Sequence, residues 1–111
     1  MGAIKTGLYS QDQEDLAQLF KALGHPARIA IVQELAKNSN CQCGELVLTV
    51  GLAQSTISQH LKELKNAGIV KGSVSGDKPC YCLDRDKMQH LSDMLSGLHD
   101  MHLRQESSCC A

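Results

Sequence analysis

Aromatic residues are scarce in this chain: among 111 residues there are no tryptophans, one phenylalanine and two tyrosines. That leaves little with which to grip single-stranded nucleic acid by base stacking. A strong charge of one sign is also missing, since the formal net charge is -1. A generally basic nucleic-acid coat is thereby excluded. No run of about eighteen apolar residues exists, so nothing reads as a membrane-spanning helix. The first residues, Met1 to Leu16, contain no apolar signal core, which makes the cytoplasm the expected compartment. Gly2 and Thr6 fit the short myristoylation pattern, a motif that also arises by chance.

What the chain does have is cysteine. Six occur in three close pairs, Cys41/Cys43, Cys80/Cys82 and Cys109/Cys110. A disulfide framework would require an oxidising, secretory setting. In a reducing compartment the same pairs point to metal binding or thiol chemistry.

The length suits one domain, and its boundaries are expected to be a loose arm over 1–11, a folded unit over 12–104 and a cysteine-bearing tail over 105–111. Leu16, Leu19, Phe20 and Leu23 follow helical spacing, Gly24 stops that helix, and Pro26 suits the first turn of the next. Ile29, Val32, Leu35 and Ala36 line this second helix. Cys41 to Gly44 is a junction or very short strand, and Glu45 to Val50 a short helix broken by Gly51. A stronger helix runs from about Gln54 to Ala67, with Ile57, Leu61 and Leu64 turned inward and Gly68 ending it. Ile69 to Val74 and Cys80 to Leu83 read as a hairpin around Ser75-Gly76-Asp77. From Asp86 onward Met88, Leu91, Met94, Leu95, Leu98 and Met101 mark one face of a long last helix. The fold class this predicts is mainly α: a winged helix-turn-helix with flanking N- and C-terminal dimerisation helices and a two- or three-stranded β-wing.

The outer face of the 54–67 helix is suited to DNA. Gln54, Ser55, Thr56, Ser58, Gln59, His60 and Lys62 offer short hydrogen-bonding groups and a cation for the major groove. A polar solvated face has the same composition, but charge partition favours DNA. Residues 53–83 hold four lysines against Glu63 and Asp77, whereas residues 84–111 hold five acidic against three basic side chains. Lys71 and Lys78 on the hairpin would reach the phosphates. So modest a positive charge predicts two copies acting on one palindromic operator of double-stranded DNA.

The run Phe20-Lys-Ala-Leu-Gly-His-Pro-Ala-Arg-Ile-Ala-Ile-Val, the run Ser55-Thr-Ile-Ser-Gln-His-Leu-Lys-Glu-Leu-Lys-Asn-Ala-Gly-Ile-Val and the segment Cys80-Tyr-Cys-Leu occur in order and spacing. Together they resemble the ArsR/SmtB family, over roughly residues 12–103. The resemblance implies a dimeric winged-helix repressor, paired through its first and last helices, that leaves DNA when a metal or metalloid binds. No cofactor is required beyond that inducer.

Arsenic- and cadmium-sensing members carry Cys-x-Cys beside the helix-turn-helix, where Cys41-Gln-Cys43 stands. The match departs from the family pattern, because Gly44 intervenes before Glu45 and Val47 replaces a further thiol. Cys80 and Cys82 are the candidates for the missing ligands. Residues two apart in a strand share a face, and a short strand at Cys41–Cys43 pairing with the return strand would bring four sulfurs together. Cys109 and Cys110 either add thiolates from the tail or are inert. All-sulfur donors favour As(III) or Sb(III), with Cd or Zn as the alternative inducers. Asp86, His99 and His102 approximate a final-helix zinc motif, but Met88 stands where a histidine ligand belongs, so these histidines read as interface residues.

A thiol-redox switch is the rival reading from a different class. An enzyme is not expected. Neither Gln42 nor Gly44 supplies the positive surroundings of a nucleophilic cysteine, and no Ser/His/Asp set or phosphate-cradling glycine loop is present.

Overall fold

A computed structural model describes residues 7–37, 42–43, 51–73 and 79–105, with residues 42 and 43 described by backbone alone. In chain order the described elements are α1 (Gln11–Leu23), α2 (Pro26–Ala36), β1 (Gln42–Cys43), α3 (Gln54–Asn66), β2 (Val70–Ser73), β3 (Cys80–Leu83) and α4 (Arg85–Leu103). The helix expected over Glu45 to Val50 and the hairpin tip at Ser75 to Asp77 lie outside the described residues.

Local chemistry sets the helix ends. At the start of α1, Ser10 Oγ accepts from the Gln13 amide at 3.1 Å and Gln13 Oε1 accepts from the Ser10 amide at 2.9 Å. This capping box satisfies two otherwise orphaned donors, and it moves the helix start into the segment expected to be a loose arm. Asp12 and Glu14 in the first turn and Lys21 in the last match the helix dipole. Pro26 opens α2 with no N–H to waste, after His25 as N-cap.

At the end of α3, Gly68 takes φ +81°, with Gly68 N donating to Lys65 O at 2.9 Å and Ile69 N to Leu64 O at 3.0 Å. These two bonds are the paired closure of a left-handed helix cap, and they turn the chain directly into β2. Asp84 caps α4 by accepting from the Lys87 amide at 3.0 Å.

The sheet is antiparallel, in the order β1-β3-β2. The short strand before the helix-turn-helix therefore does pair with the return strand of the wing, through Gln42↔Tyr81 and Cys43↔Cys80. On the other side Lys71 faces Cys82 and Gly72 faces Tyr81. Gly72 has φ +105°, and a Cβ there would collide with the Cys80 carbonyl, so this position requires glycine.

The core gathers Leu19 and Ala22 of α1, Ile31 and Leu35 of α2, Ile57, Leu61 and Leu64 of α3, Ile69 and Val70, Tyr81 and Leu91. The inward face of α2 differs from the one expected. Ile31 and Leu35 are buried, Val32 is half-buried, and Ile29 and Ala36 are exposed. The segment Ile29-Ala-Ile-Val is apolar on every side, so helical spacing alone does not choose between Ile29 and Ile31. Phe20, expected on the inner face of α1, is 46% exposed. Leu91 is the buried residue of α4, while Leu95, Leu98, Met101 and Leu103 stay exposed.

Candidate DNA-binding surface and cysteine cluster

Helix α3 sorts its side chains cleanly. Ile57, Leu61 and Leu64 are buried against α1, α2 and β2, which fixes the opposite face outward. On that face Ser55, Thr56, Gln59 and Lys62 are exposed. Gln54 and Ser58 are half-buried, and Gln54 Nε2 donates to Ser58 Oγ at 3.2 Å. Gln54 Oε1 is buried with no hydrogen-bond partner among the described residues.

The N-cap of α3 is Ala53, which offers no side-chain bond, and no acidic residue occupies the first turn. The first amides of α3 therefore remain open to an anion such as a DNA phosphate. Lys71 stands exposed on β2, next in sequence to the end of α3. Lys78 lies outside the described residues.

His60 stands apart from the other candidate DNA contacts. Its half-buried ring turns toward α2, where Nδ1 accepts from Arg28 Nε at 3.1 Å. Arg28 also donates from Nη1 to the Ala22 carbonyl at 3.1 Å. His25 lies beside them, its ring centroid 4.7 Å from that of His60. His25 Nδ1 in turn accepts from the Ala27 amide at 3.0 Å. Burial, and after it the neighbouring His25 and Arg28, push the His60 pKa below its ordinary 6.5.

Sequence pattern alone marks neither Arg28 nor His25 as a functional residue. The available signal was the run Gly24-His-Pro-Ala-Arg28, which sets two polar side chains at the start of α2.

The wing base collects cysteines. Cys43 and Cys80 are direct partners across the β1–β3 ladder, and Cys82 lies two residues further along β3. Tyr81 is buried between the half-buried Cys80 and Cys82, as strand alternation requires. Cys80 is disulfide-bonded and Cys82 is not. A sulfur in a disulfide has no thiolate to offer a metal, so coordination at Cys80 requires the reduced chain. Cys41, Cys109 and Cys110 lie outside the described residues. Among the described residues no group of three or more histidine, cysteine or acidic side chains is assembled for a metal. On α4, Asp86, His99 and His102 are exposed, whereas Met88 packs against the core.

Three comparisons place this arrangement among known proteins. The family model described as "Bacterial regulatory protein, arsR family" matches residues 25–71, from α2 into β2. An uncharacterized HTH-type transcriptional regulator of Methanocaldococcus jannaschii is 37% identical over 86 residues, which are 77% of this chain and 96% of that protein. The HTH-type transcriptional repressor SmtB of Mycobacterium tuberculosis is 42% identical over 67% of this chain, and the match spans 54% of SmtB. In structure, the homodimeric winged helix-turn-helix DNA-binding domain of a possible ArsR-family regulator from Mycobacterium bovis superimposes with a TM-score of 0.62. That match has 22% identity and covers 98% of this chain and all of the other, so it speaks for the fold alone. The relatives are regulators of transcription, and no helix among the described residues is long and apolar enough to cross a membrane. With α3 presenting a polar outer face above a buried apolar one, the chain belongs to the ArsR family of transcriptional regulators, DNA-binding repressors rather than enzymes.

Proposed function

We propose that this repressor binds a palindromic operator as a homodimer and is released when As(III) or Sb(III) is held by cysteine thiolates at the base of its wing. The observation that carries this reading is the strand register that puts Cys43 opposite Cys80, with Cys82 next on the same side of β3. This cluster shares a sheet with the Lys71 wing strand, and that strand packs on α3, so a bound ion there is well placed to move the DNA-reading elements. Thiolates select soft ions, and As(III) takes three of them. Cys41, Cys43, Cys80 and Cys82 are the ligand set, with Cys109 and Cys110 as further donors. A four-thiolate demand would instead suit Cd or Zn.

Gln59, Thr56, Ser55 and Lys62 read or grip the groove, assisted by Gln54 and Ser58, while Lys71 and Lys78 hold phosphates. The second protomer covers the groove between α1 and α4 lined by Leu16, Met94, Leu98 and Met101. Dimer symmetry then spaces the two α3 helices about one DNA turn apart. The reducing cytoplasm is the compartment in which these thiols are competent.

Release is a linkage: the ion binds better to a dimer shape that fits DNA poorly, and DNA weakens ion binding by the same factor. Arsenite reacts as As(OH)3, each thiol proton leaving as water with a displaced hydroxide, so its response changes little with pH below the thiol pKa. Cd or Zn would instead release free protons, and a response to them weakens as pH falls. The test is operator-binding anisotropy of reduced protein with arsenite, antimonite, cadmium and zinc, repeated for Cys41→Ser, Cys80→Ser and Cys109→Ser. Unchanged release in the first two variants would end this reading.

The disulfide at Cys80 favours a second reading, in which oxidation of the wing-base thiols releases DNA without any metal. Peroxide or diamide added to chelator-treated, reduced protein separates the two. Metal-free release that is reversed by dithiothreitol supports the redox switch.

A further inference from the structure

We propose that Arg28, acting through the neutral ring of His60, holds the recognition helix α3 in its DNA-reading position. Protonation of His60 undoes this hold, so that acid weakens operator binding.

The geometry dictates the protonation state. A guanidinium only donates hydrogen bonds and keeps its charge throughout the accessible pH range. The 3.1 Å bond from Arg28 Nε therefore needs a lone pair on His60 Nδ1, which a protonated imidazole lacks. On protonation two donors face each other, and the new charge lies beside a permanent cation. His25 lies 4.7 Å away between ring centroids, and its Nδ1 accepts the Ala27 amide.

Three helices meet at this point. Arg28 belongs to α2, its Nη1 holds the Ala22 carbonyl of α1, and its Nε holds His60 of α3. The contact therefore joins the reading helix to α1, one of the helices that flank the proposed dimer groove. The buried face of α3 fixes which side points outward, but apolar packing is non-directional. A charge-assisted hydrogen bond adds the missing constraint on position along and around the helix axis.

The influences on the charge of His60 are burial, His25 and Arg28, and all three oppose protonation. Arg28 belongs to α2 and His25 is the N-cap residue of that helix. Among the described residues, none from α1 or β2, the other elements packed on α3, and none from α3 itself adds to them. The folded-state pKa thus lies below the ordinary 6.5. Its contribution to stability is complete above the unfolded value and fades as pH falls through the folded one. The sign is diagnostic, because histidine protonation in general adds positive charge and would tighten DNA binding.

The test is operator affinity from about pH 7.5 to 5.5 at fixed salt, with reductant and chelator, alongside helix content and sedimentation at each pH. The wild type is expected to weaken about tenfold on acidification, the scale of one hydrogen bond to a charged group, while staying folded and dimeric. His60→Asn supplies a non-titrating acceptor near the Nδ1 position, so, whatever its affinity at neutral pH, its binding should show no loss on acidification. Arg28→Lys loses the rigid fork and should bind more weakly at neutral pH, with a flattened profile. His25→Asn, which can still cap α2, should move the acid loss to higher pH. The proposal is overturned if wild-type affinity is constant or rises on acidification, if the loss follows helix content or dimer dissociation, or if His60→Asn loses as much as wild type. Should His60→Asn not fold, the slope of the Arg28→Lys profile decides by the same criterion.

Discussion

Helices α3 and α4 are both amphipathic, yet they spend their apolar faces differently. In α3, Ile57, Leu61 and Leu64 are wholly buried within one chain. In α4, Leu91 is buried while Leu95, Leu98 and Met101 remain 42%, 52% and 64% exposed. The reading helix is therefore completed by its own protomer, whereas the last helix presents a surface that one protomer does not close. Folding of the DNA-reading unit and assembly of the proposed dimer should respond to different substitutions.

The largest expected effect comes from cutting into α3. Leu61→Ala should destabilise the protomer by about 4 kcal/mol, through lost transfer energy and the cavity left behind. Urea denaturation followed by circular dichroism measures it, and a loss under about 1 kcal/mol would mean that the α3 core is not closed.

The corresponding cut in α4 should separate assembly from folding. Leu98→Asp is expected to weaken dimerisation by about 2 kcal/mol, because an exposed aspartate must be desolvated against an apolar partner. Sedimentation velocity over a dilution series would show more monomer at unchanged helix content. Intact dimer at all concentrations would remove Leu98 from the interface.

A smaller effect sharpens the comparison at the helix start. Asp84→Ala removes the side-chain acceptor for the Lys87 amide and should cost about 1 kcal/mol. Ala53 makes no such bond, so Ala53→Ser at α3 should instead add a few tenths of a kcal/mol. Thermal denaturation of both variants checks the opposite signs. The outer face of α3 should be silent in stability: Gln59→Ala leaves the melting temperature within a degree or two while lowering operator discrimination, as an exposed side chain with a DNA role does.

Much of this architecture was legible in the residues. Spacing placed Ile57, Leu61 and Leu64 inside α3, Gly68 marked its end, and strand alternation put Tyr81 inward between two cysteines. Pairing of the Cys43 strand with the Cys80 strand followed from winged-helix topology rather than from any local pattern.

The misses have physical causes. Ile31 and Ile29 are equally apolar and two residues apart, so only tertiary packing distinguishes them. The capping box of Ser10 and Gln13 is written in the sequence, yet it sits ahead of the first periodic apolar residue, where helical spacing gives no signal. The Arg28–His60 bond joins residues 32 apart, and nothing local announces it. For the cysteines, the chain order showed which pairs exist, and the register sets the Cys43 backbone opposite that of Cys80. The oxidation state of Cys80 depends on its surroundings and not on sequence spacing.

The most direct measurement is an arsenite titration of the reduced protein bound to a fluorescent duplex that carries its operator. Wild type and a Cys80→Ser/Cys82→Ser double variant are run side by side at pH 7.5, with folding and dimerisation checked for both. Release of DNA from the wild type at arsenite concentrations that leave the double variant bound is the predicted result. Equal release from both, or none from the wild type, would contradict a metalloid site at the wing base.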